Sequence, residues 1–241
     1  MTLDPDPTVT NQMLVATASG SEDPEGTGTV TYAYEWFEDG VATAESASAT
    51  FPASATGKNH TYRVQVTASD GLVESAFGFA EVNVVNSAPT LLGPTLSAAT
   101  AVVGDVLTCS ATATDLDPED SPIVSYAWSD GSTGPTYTVT MADPVDADVT
   151  CMATADDADG GVTTGTASAT VGNTAPTVDS VAVTPATGQV GDVLTCAATA
   201  SDADDETPYI TYAWTDGSTG DTYTITAADA VDSTITCTAT A

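Results

Sequence analysis

The sequence predicts an all-β chain built as three tandem β-sandwiches. Three observations carry this: a long internal repeat, two-residue alternation of apolar and polar side chains, and Asp-Gly turns between the alternating runs. Asn86-Ser87-Ala88-Pro89-Thr90 returns 87 residues later as Asn173-Thr174-Ala175-Pro176-Thr177. Gly104-Asp105-Val106-Leu107-Thr108-Cys109 returns at the same interval as Gly191-Asp192-Val193-Leu194-Thr195-Cys196. Tyr126-Ala127-Trp128 returns as Tyr212-Ala213-Trp214. A period this long is one whole domain per repeat. The expected boundaries are therefore 1–87, 88–174 and 175–241, with the Asn-Ser/Thr-Ala-Pro-Thr segments as short linkers stiffened by proline.

Within the first repeat, Val66-Thr67-Ala68-Ser69-Asp70 matches Ala153-Thr154-Ala155-Asp156-Asp157 of the second. This alignment expects Leu14 where Cys109 sits and Val64 where Cys151 sits, an aliphatic pair in place of two cysteines. In the second repeat Leu107, Cys109, Ala111 and Ala113 share one face, and Val124, Tyr126 and Trp128 share another. Thr108, Ser110, Thr112 and Thr114 lie opposite, as threonine suits the solvated face of a strand. Asp39-Gly40, Asp70-Gly71, Asp130-Gly131, Asp159-Gly160 and Asp216-Gly217 are the turns. The third repeat keeps the pattern but stops four residues after Cys237, where the second runs on to Thr174. The first repeat is read as short at its N-terminus. The third is read as lacking the last strand, equivalent to about Val162–Val171, which a continuing chain or a neighbouring copy would supply.

Of 241 residues, 34 are acidic and two are basic, Lys58 and Arg63, giving a net charge of −32. That excludes phosphate recognition, and so a nucleic-acid partner, and it disfavours an anionic membrane surface. No apolar run is long enough to span a bilayer, so no membrane insertion is expected. No signal peptide is read at Met1; an export signal is expected outside this segment or already removed. High charge often signals disorder, but the 41% apolar residues fall in alternating runs.

Cys109 and Cys151 lie 42 apart and Cys196 and Cys237 lie 41 apart, each pair bracketing a tryptophan. Zinc sites want closely spaced pairs, and a catalytic thiol wants a basic neighbour; neither is present. Of three connectivities, the repeat symmetry selects Cys109–Cys151 and Cys196–Cys237. Disulfides place the protein in an oxidising, extracellular compartment.

At these residues the chain resembles the immunoglobulin-like plan of Cys…Trp…Cys across two sheets. Tyr126 to Gly134 (Tyr-Ala-Trp-Ser-Asp-Gly-Ser-Thr-Gly) and Ala155 to Gly161 (Ala-Asp-Asp-Ala-Asp-Gly-Gly) resemble PKD-like and bacterial Ig-like repeats of the myxobacterial surface type. The resemblance covers the whole chain, and implies tandem immunoglobulin-like (PKD-like) β-sandwiches in an exported surface protein. The first repeat departs from it, lacking cysteines and reading Tyr32-Ala33-Tyr34-Glu35-Trp36 with two extra residues before tryptophan. A ligand is not implied, because the fold hosts many functions.

Catalysis has little to work with. His60 is the lone histidine, in the polar turn Gly57-Lys58-Asn59-His60-Thr61, and is read as a solvated loop residue. Lys58 is a poor candidate for an isopeptide crosslink. The acidic clusters are more informative. Asp115, Asp117, Glu119 and Asp120 follow the strand carrying Cys109, and Asp156, Asp157 and Asp159 follow the strand carrying Cys151. In Ig-like topology these are the B–C and F–G loops, at one end of the sandwich. Seven carboxylates are thus expected beside the linker Asn86–Thr90. The third repeat has Asp202, Asp204, Asp205 and Glu206, and the first has Glu22, Asp23 and Glu25 with Asp70. Like charges ~4 Å apart repel by about 4 kcal/mol at an effective dielectric near 20. A calcium ion, which takes carboxylate and carbonyl oxygens, is expected to bridge them. The alternative is a solvated acidic coat, and no EF-hand loop is present.

The expected function is a non-enzymatic structural repeat segment of an extracellular fibre, stalk or adhesin shaft, stiffened by calcium at domain junctions. Its partners would be further repeats of the same chain or identical chains, head to tail. The alternative is a ligand- or carbohydrate-binding adhesion module recognising a surface glycan or protein. Such a module should show an aromatic platform, for which Phe37 is the main candidate.

Overall fold

The computed structural model describes residues 1–22 and 29–241. Among the described residues all regular structure is strand except one 3-10 turn, Ala53–Ala55, and no helix is long and apolar enough to cross a membrane.

In the first repeat the alternating runs become β1 (Thr2–Asp4), β2 (Thr8–Val9), β3 (Leu14–Thr17), β4 (Thr31–Glu38), β5 (Val41–Thr43), β6 (Thr50–Phe51), β7 (Thr61–Ser69) and β8 (Gly78–Val85). They form a three-stranded sheet, β1-β3-β6, and a five-stranded sheet, β2-β8-β7-β4-β5. All pairings are antiparallel except β2 with β8. Leu3, Leu14, Ala16 and Phe51 face Trp36, Tyr62, Val64, Val66, Val82 and Val84 in one buried cluster. Asp39 and Gly40, at φ 49° and 82°, close the two-residue hairpin from β4 to β5. Such a turn needs positive φ at both positions, which Asp tolerates and Gly adopts freely.

The second repeat contributes β9 (Thr90–Leu96), β10 (Thr100–Ala101), β11 (Val106–Thr114), β12 (Ile123–Trp128), β13 (Thr136–Thr138), β14 (Asp148–Asp156) and β15 (Val162–Val171). Its sheets are β10-β15-β14-β12 and β13-β11-β9. The third contributes β16 (Thr177–Thr184), β17 (Val193–Ser201), β18 (Thr211–Trp214), β19 (Thr222–Thr224) and β20 (Cys237–Thr240), in sheets β16-β17-β19 and β18-β20. Cys109–Cys151 and Cys196–Cys237 are bonded as the repeat symmetry required, and no cysteine is free. The fold is that of immunoglobulin-like β-sandwiches.

The chain divides into two compact units. One comprises Met1–Thr95, Ser110–Tyr126 and Met152–Thr166; the other comprises Leu96–Cys109, Ala127–Cys151 and Ala167–Ala241. Strands β9, β11, β12, β14 and β15 contribute residues to both.

One registration read from the sequence is corrected. Leu14 pairs with Phe51 as Leu107 pairs with Tyr137 and Leu194 with Tyr223. The amide of Ala16 bonds to Ala49 O as those of Cys109 and Cys196 bond to Pro135 O and Asp221 O. Ala16, not Leu14, therefore stands in the cysteine's place, opposite Val64. Both residues are buried, and a shift of two positions keeps the same face, so alternation could not separate them. The two extra residues before Trp36 are likewise no insertion: β4 pairs with β7 without a break from Thr31↔Ser69 to Glu38↔Tyr62.

Each repeat fixes its tryptophan in the same way. The indole N–H of Trp36, Trp128 and Trp214 donates to the carbonyls of Ser48, Gly134 and Gly220, each at 2.9 Å. Each indole packs on one ring, Phe51, Tyr137 or Tyr223, at 5.1–5.3 Å between centroids.

Candidate metal centre

Strand β11 ends at Thr114 and β12 begins at Ile123, so the acidic B–C segment is the loop between them; β14 and β15 likewise bracket the F–G loop. Both loops are braced by their own carboxylates. Asp115 Oδ1 accepts the Asp117 amide at 2.9 Å, and Asp157 Oδ1 accepts the amides of Asp159 and Gly161 at 2.8 and 2.9 Å. Short polar side chains bonding backbone two residues on hold such turns. Gly161 is required by close approach: a Cβ there would meet Asp157 Oδ2 at 2.0 Å and Ala88 Cα at 2.8 Å.

The loops are tied to the first repeat and its linker. Asp117, 1% exposed, accepts hydrogen bonds from Thr10 Oγ1 on one oxygen and from the Ser87 amide, at 2.7 Å, on the other. Asn86 Nδ2 donates to Asp157 Oδ2 at 2.7 Å. This bond, first among the causes, lowers the Asp157 carboxyl below its ordinary value. Lys58 Nζ lies 2.5 Å from both Asp120 Oδ1 and Asp159 Oδ2. Its ammonium is held well above the ordinary lysine range by the bond to Asp120 foremost, then by that to Asp159.

Asp115, Asp120 and Asp157 each bring one carboxylate oxygen within 4.8 Å of the others. Asp115 Oδ2, Asp120 Oδ2 and Asn86 Oδ1 are buried without a hydrogen-bond partner. Buried polar oxygens left unpaired are costly, and each such group calls for an explanation. The donor set, three carboxylates, is the hard-oxygen chemistry of calcium.

Of the seven carboxylates expected to converge, these three come together. Asp159 reaches Lys58, Asp117 is spent on Thr10 and Ser87, and Glu119 and Asp156 are exposed. In the third repeat Asp202 Oδ1 accepts the Asp204 amide at 2.9 Å, and Asp204 Oδ2 accepts the Thr174 amide at 2.5 Å. Asp205 and Glu206 are exposed, and among the described residues no third-repeat group gathers three acids. In the first repeat Asp70 Oδ1 accepts the amides of Leu72 and Val73, Glu22 is exposed, and Asp23 and Glu25 lie outside the described residues.

Sequence reasoning missed Lys58, Thr10, Asn86 and Ser87. The available signal was that one lysine among 34 acids has every reason to be paired. His60 is half-exposed as expected, with Nδ1 2.6 Å from Asp39 Oδ2. Phe37 is not the main outward aromatic: the Arg63 guanidinium covers its ring at 4.5 Å, while Phe77 and Phe79 are each 59% exposed and Tyr209 is 83% exposed.

No family model and no curated protein matches the chain. Among solved structures it is similar to three N-terminal domains of the bacteriophage RB49 highly immunogenic outer capsid protein, at 18% identity over 86% of this chain and 71% of that one, TM-score 0.31. It is similar to EC21-23 of human CDH23, at 17% identity over 83% and 80%, TM-score 0.36. It is also similar to the fibronectin(III)-like modules of Clostridium thermocellum CbhA, at 20% identity over 71% and 93%, TM-score 0.27. With scores this low, the assignment of fold rests on the sheets, the disulfides and the tryptophans of the chain itself.

Proposed function

We propose that the chain is a structural segment of an extracellular or cell-surface fibre, stalk or adhesin shaft, without enzymatic activity. It is read as three PKD-like immunoglobulin-like repeats, at 1–87, 88–174 and 175–241, joined head to tail with more of the same or with identical chains. The observation that carries this is the first junction. Asn86 and Ser87, which leave β8, are bonded to Asp157 and Asp117 of the next repeat's loops, so the connection has little freedom to flex. Two disulfides lock the second and third repeats, as expected in an oxidising environment. A load-bearing role needs stiffness of this kind and no cleft. Imaging of the native assembly tests the reading: filaments or stalks support it, and isolated binding tips on another scaffold overturn it.

Calcium belongs to the same proposal. Asp115, Asp120 and Asp157 would supply part of its shell and water the rest, with affinity in the millimolar range of extracellular modules. Chelation is then expected to lower the melting temperature and increase bending between the first and second repeats. Asp115→Asn with Asp120→Asn is expected to abolish that response.

A second reading, a module binding a glycan or protein, draws on the outer face of the five-stranded sheet. There Arg63 stacks on Phe37 and exposed Phe79 pairs with Gln65. A glycan-array signal lost in Phe79→Ala would favour it.

A further inference from the structure

We infer that Lys58 is the resident cation of the first junction: it holds the acidic loops when calcium is scarce and competes with calcium for Asp120 when it is present. The competitive part rests on the calcium reading above; the holding part does not.

Asp120 divides its two oxygens. Its side chain is 9% exposed; Oδ1 holds Lys58, and Oδ2 is buried and unpaired. Asp120 is also one of the three acids that approach within 4.8 Å. A divalent cation among them would therefore share a carboxylate with an ammonium, and two like charges on one group repel. Asp159, the other anchor of Lys58, is outside the trio, so the ammonium stays tethered near the site whether or not it yields Asp120.

The repeats differ at this position. Asn59, Asp146 and Asp232 all adopt positive φ, at 65°, 65° and 63°, five residues before Val64, Cys151 and Cys237. The amides of Asn59 and Asp146 donate to the equivalent carbonyls of Val84 and Val171. This registration puts Lys58 level with Val145 and Val231, so the lysine is confined to the repeat whose neighbour gathers three acids. The second junction has neither feature. There Val145 replaces lysine, and Asp204 Oδ1 is buried without a partner. By the strand registers Thr8↔Val84 and Ala101↔Val171, Val103 occupies the position of Thr10, whose hydroxyl serves Asp117.

The test compares the 241-residue chain with Lys58→Met and Lys58→Arg by calcium titration calorimetry and by exchange of the Ser87 amide in chelator. For Lys58→Met, calcium binding is expected to tighten about tenfold or more, because the competing charge is gone. In chelator its Ser87 amide is expected to exchange about tenfold faster than in the unaltered chain, with calcium restoring protection. Lys58→Arg is expected to match the unaltered chain. Equal calcium affinity in the unaltered and Lys58→Met chains overturns the competition. Equal Ser87 exchange in chelator overturns the holding role. If neither chain binds calcium up to about 10 mM while Lys58→Met still loosens Ser87, the calcium reading falls and the lysine stands as the junction's only cation. Should Lys58→Met fail to fold, Asp159→Asn removes one anchor of the ammonium and none of the three clustered acids, and the same comparisons apply.

Discussion

Installing a third disulfide in the first repeat tests the strand registration directly. Ala16 occupies the place of Cys109 and Cys196, and Val64 that of Cys151 and Cys237. Both side chains lie in one buried cluster. The natural bonds span Cα separations of 6.5 and 6.3 Å, so Ala16→Cys with Val64→Cys is expected to close under native oxidising conditions. The loop closed would be about 48 residues, worth about 4 kcal/mol by chain entropy, of which engineered bonds commonly deliver less. A gain of ~2–4 kcal/mol corresponds to a rise in melting temperature of about 10 °C or more for a domain of this size. Leu14→Cys with Val64→Cys, the pair that sequence alignment favours, is expected to stay reduced. It also loses a fully buried leucine, at a cost of about 2–5 kcal/mol. Thiol titration under denaturant and a melting scan read both outcomes. Two free thiols in the Ala16/Val64 variant, together with closure of the Leu14/Val64 variant, would refute the registration.

Reduction of the natural disulfides is expected to destabilise the second and third repeats by up to about 4 kcal/mol each and leave the first unchanged, as single-tryptophan variants retaining Trp36, Trp128 or Trp214 would report. Asp117→Ala is expected to cost about 1–3 kcal/mol by stranding Thr10 Oγ1 and the Ser87 amide, measured by denaturant midpoint. Val103→Thr is expected to add about 1 kcal/mol by offering Asp204 Oδ1 a donor, read on the third repeat's transition. Burial pushes the hydroxyls of Tyr62 and Tyr137 up to about 12, and a bond to Asp229 does the same for Tyr223. The unfolded chain ionises first, so stability is complete below pH ~10 and is lost as pH rises toward about 12; Tyr62→Phe should flatten part of that slope in pH-dependent melting. Asp157 runs the other way: its lowered value contributes stability above the ordinary 3.8, lost as pH falls through the folded value, and Asn86→Ala should reduce that acid sensitivity.

The strands were legible because their signal is local. Alternation at Leu107, Cys109 and Ala111 names a buried face from neighbours two residues apart, and Asp39-Gly40 names its own turn. The disulfide pairing was legible because the repeat makes it redundant. Registration was not, since Leu14 and Ala16 obey the same alternation and only the partner strand, through Phe51 and Ala49, tells them apart. The site divides in the same way. The acids that cluster were visible in the sequence along with those that do not, because an exposed Glu119 and a buried Asp117 look alike in a charged run.

By itself the sequence determined the class of fold, the period of the chain, the identity of both disulfides and the surplus of acid. These follow from side-chain chemistry at fixed short spacings, repeated often enough to be unambiguous. Only the tertiary structure decided which carboxylates meet and what faces them. Lys58 stands 62 residues from Asp120 and 101 from Asp159, and Thr10 stands 107 from Asp117. Charge pairing across such separations has no period to read: it is set by where two turns arrive when their sheets pack, and burial then makes each pairing obligatory.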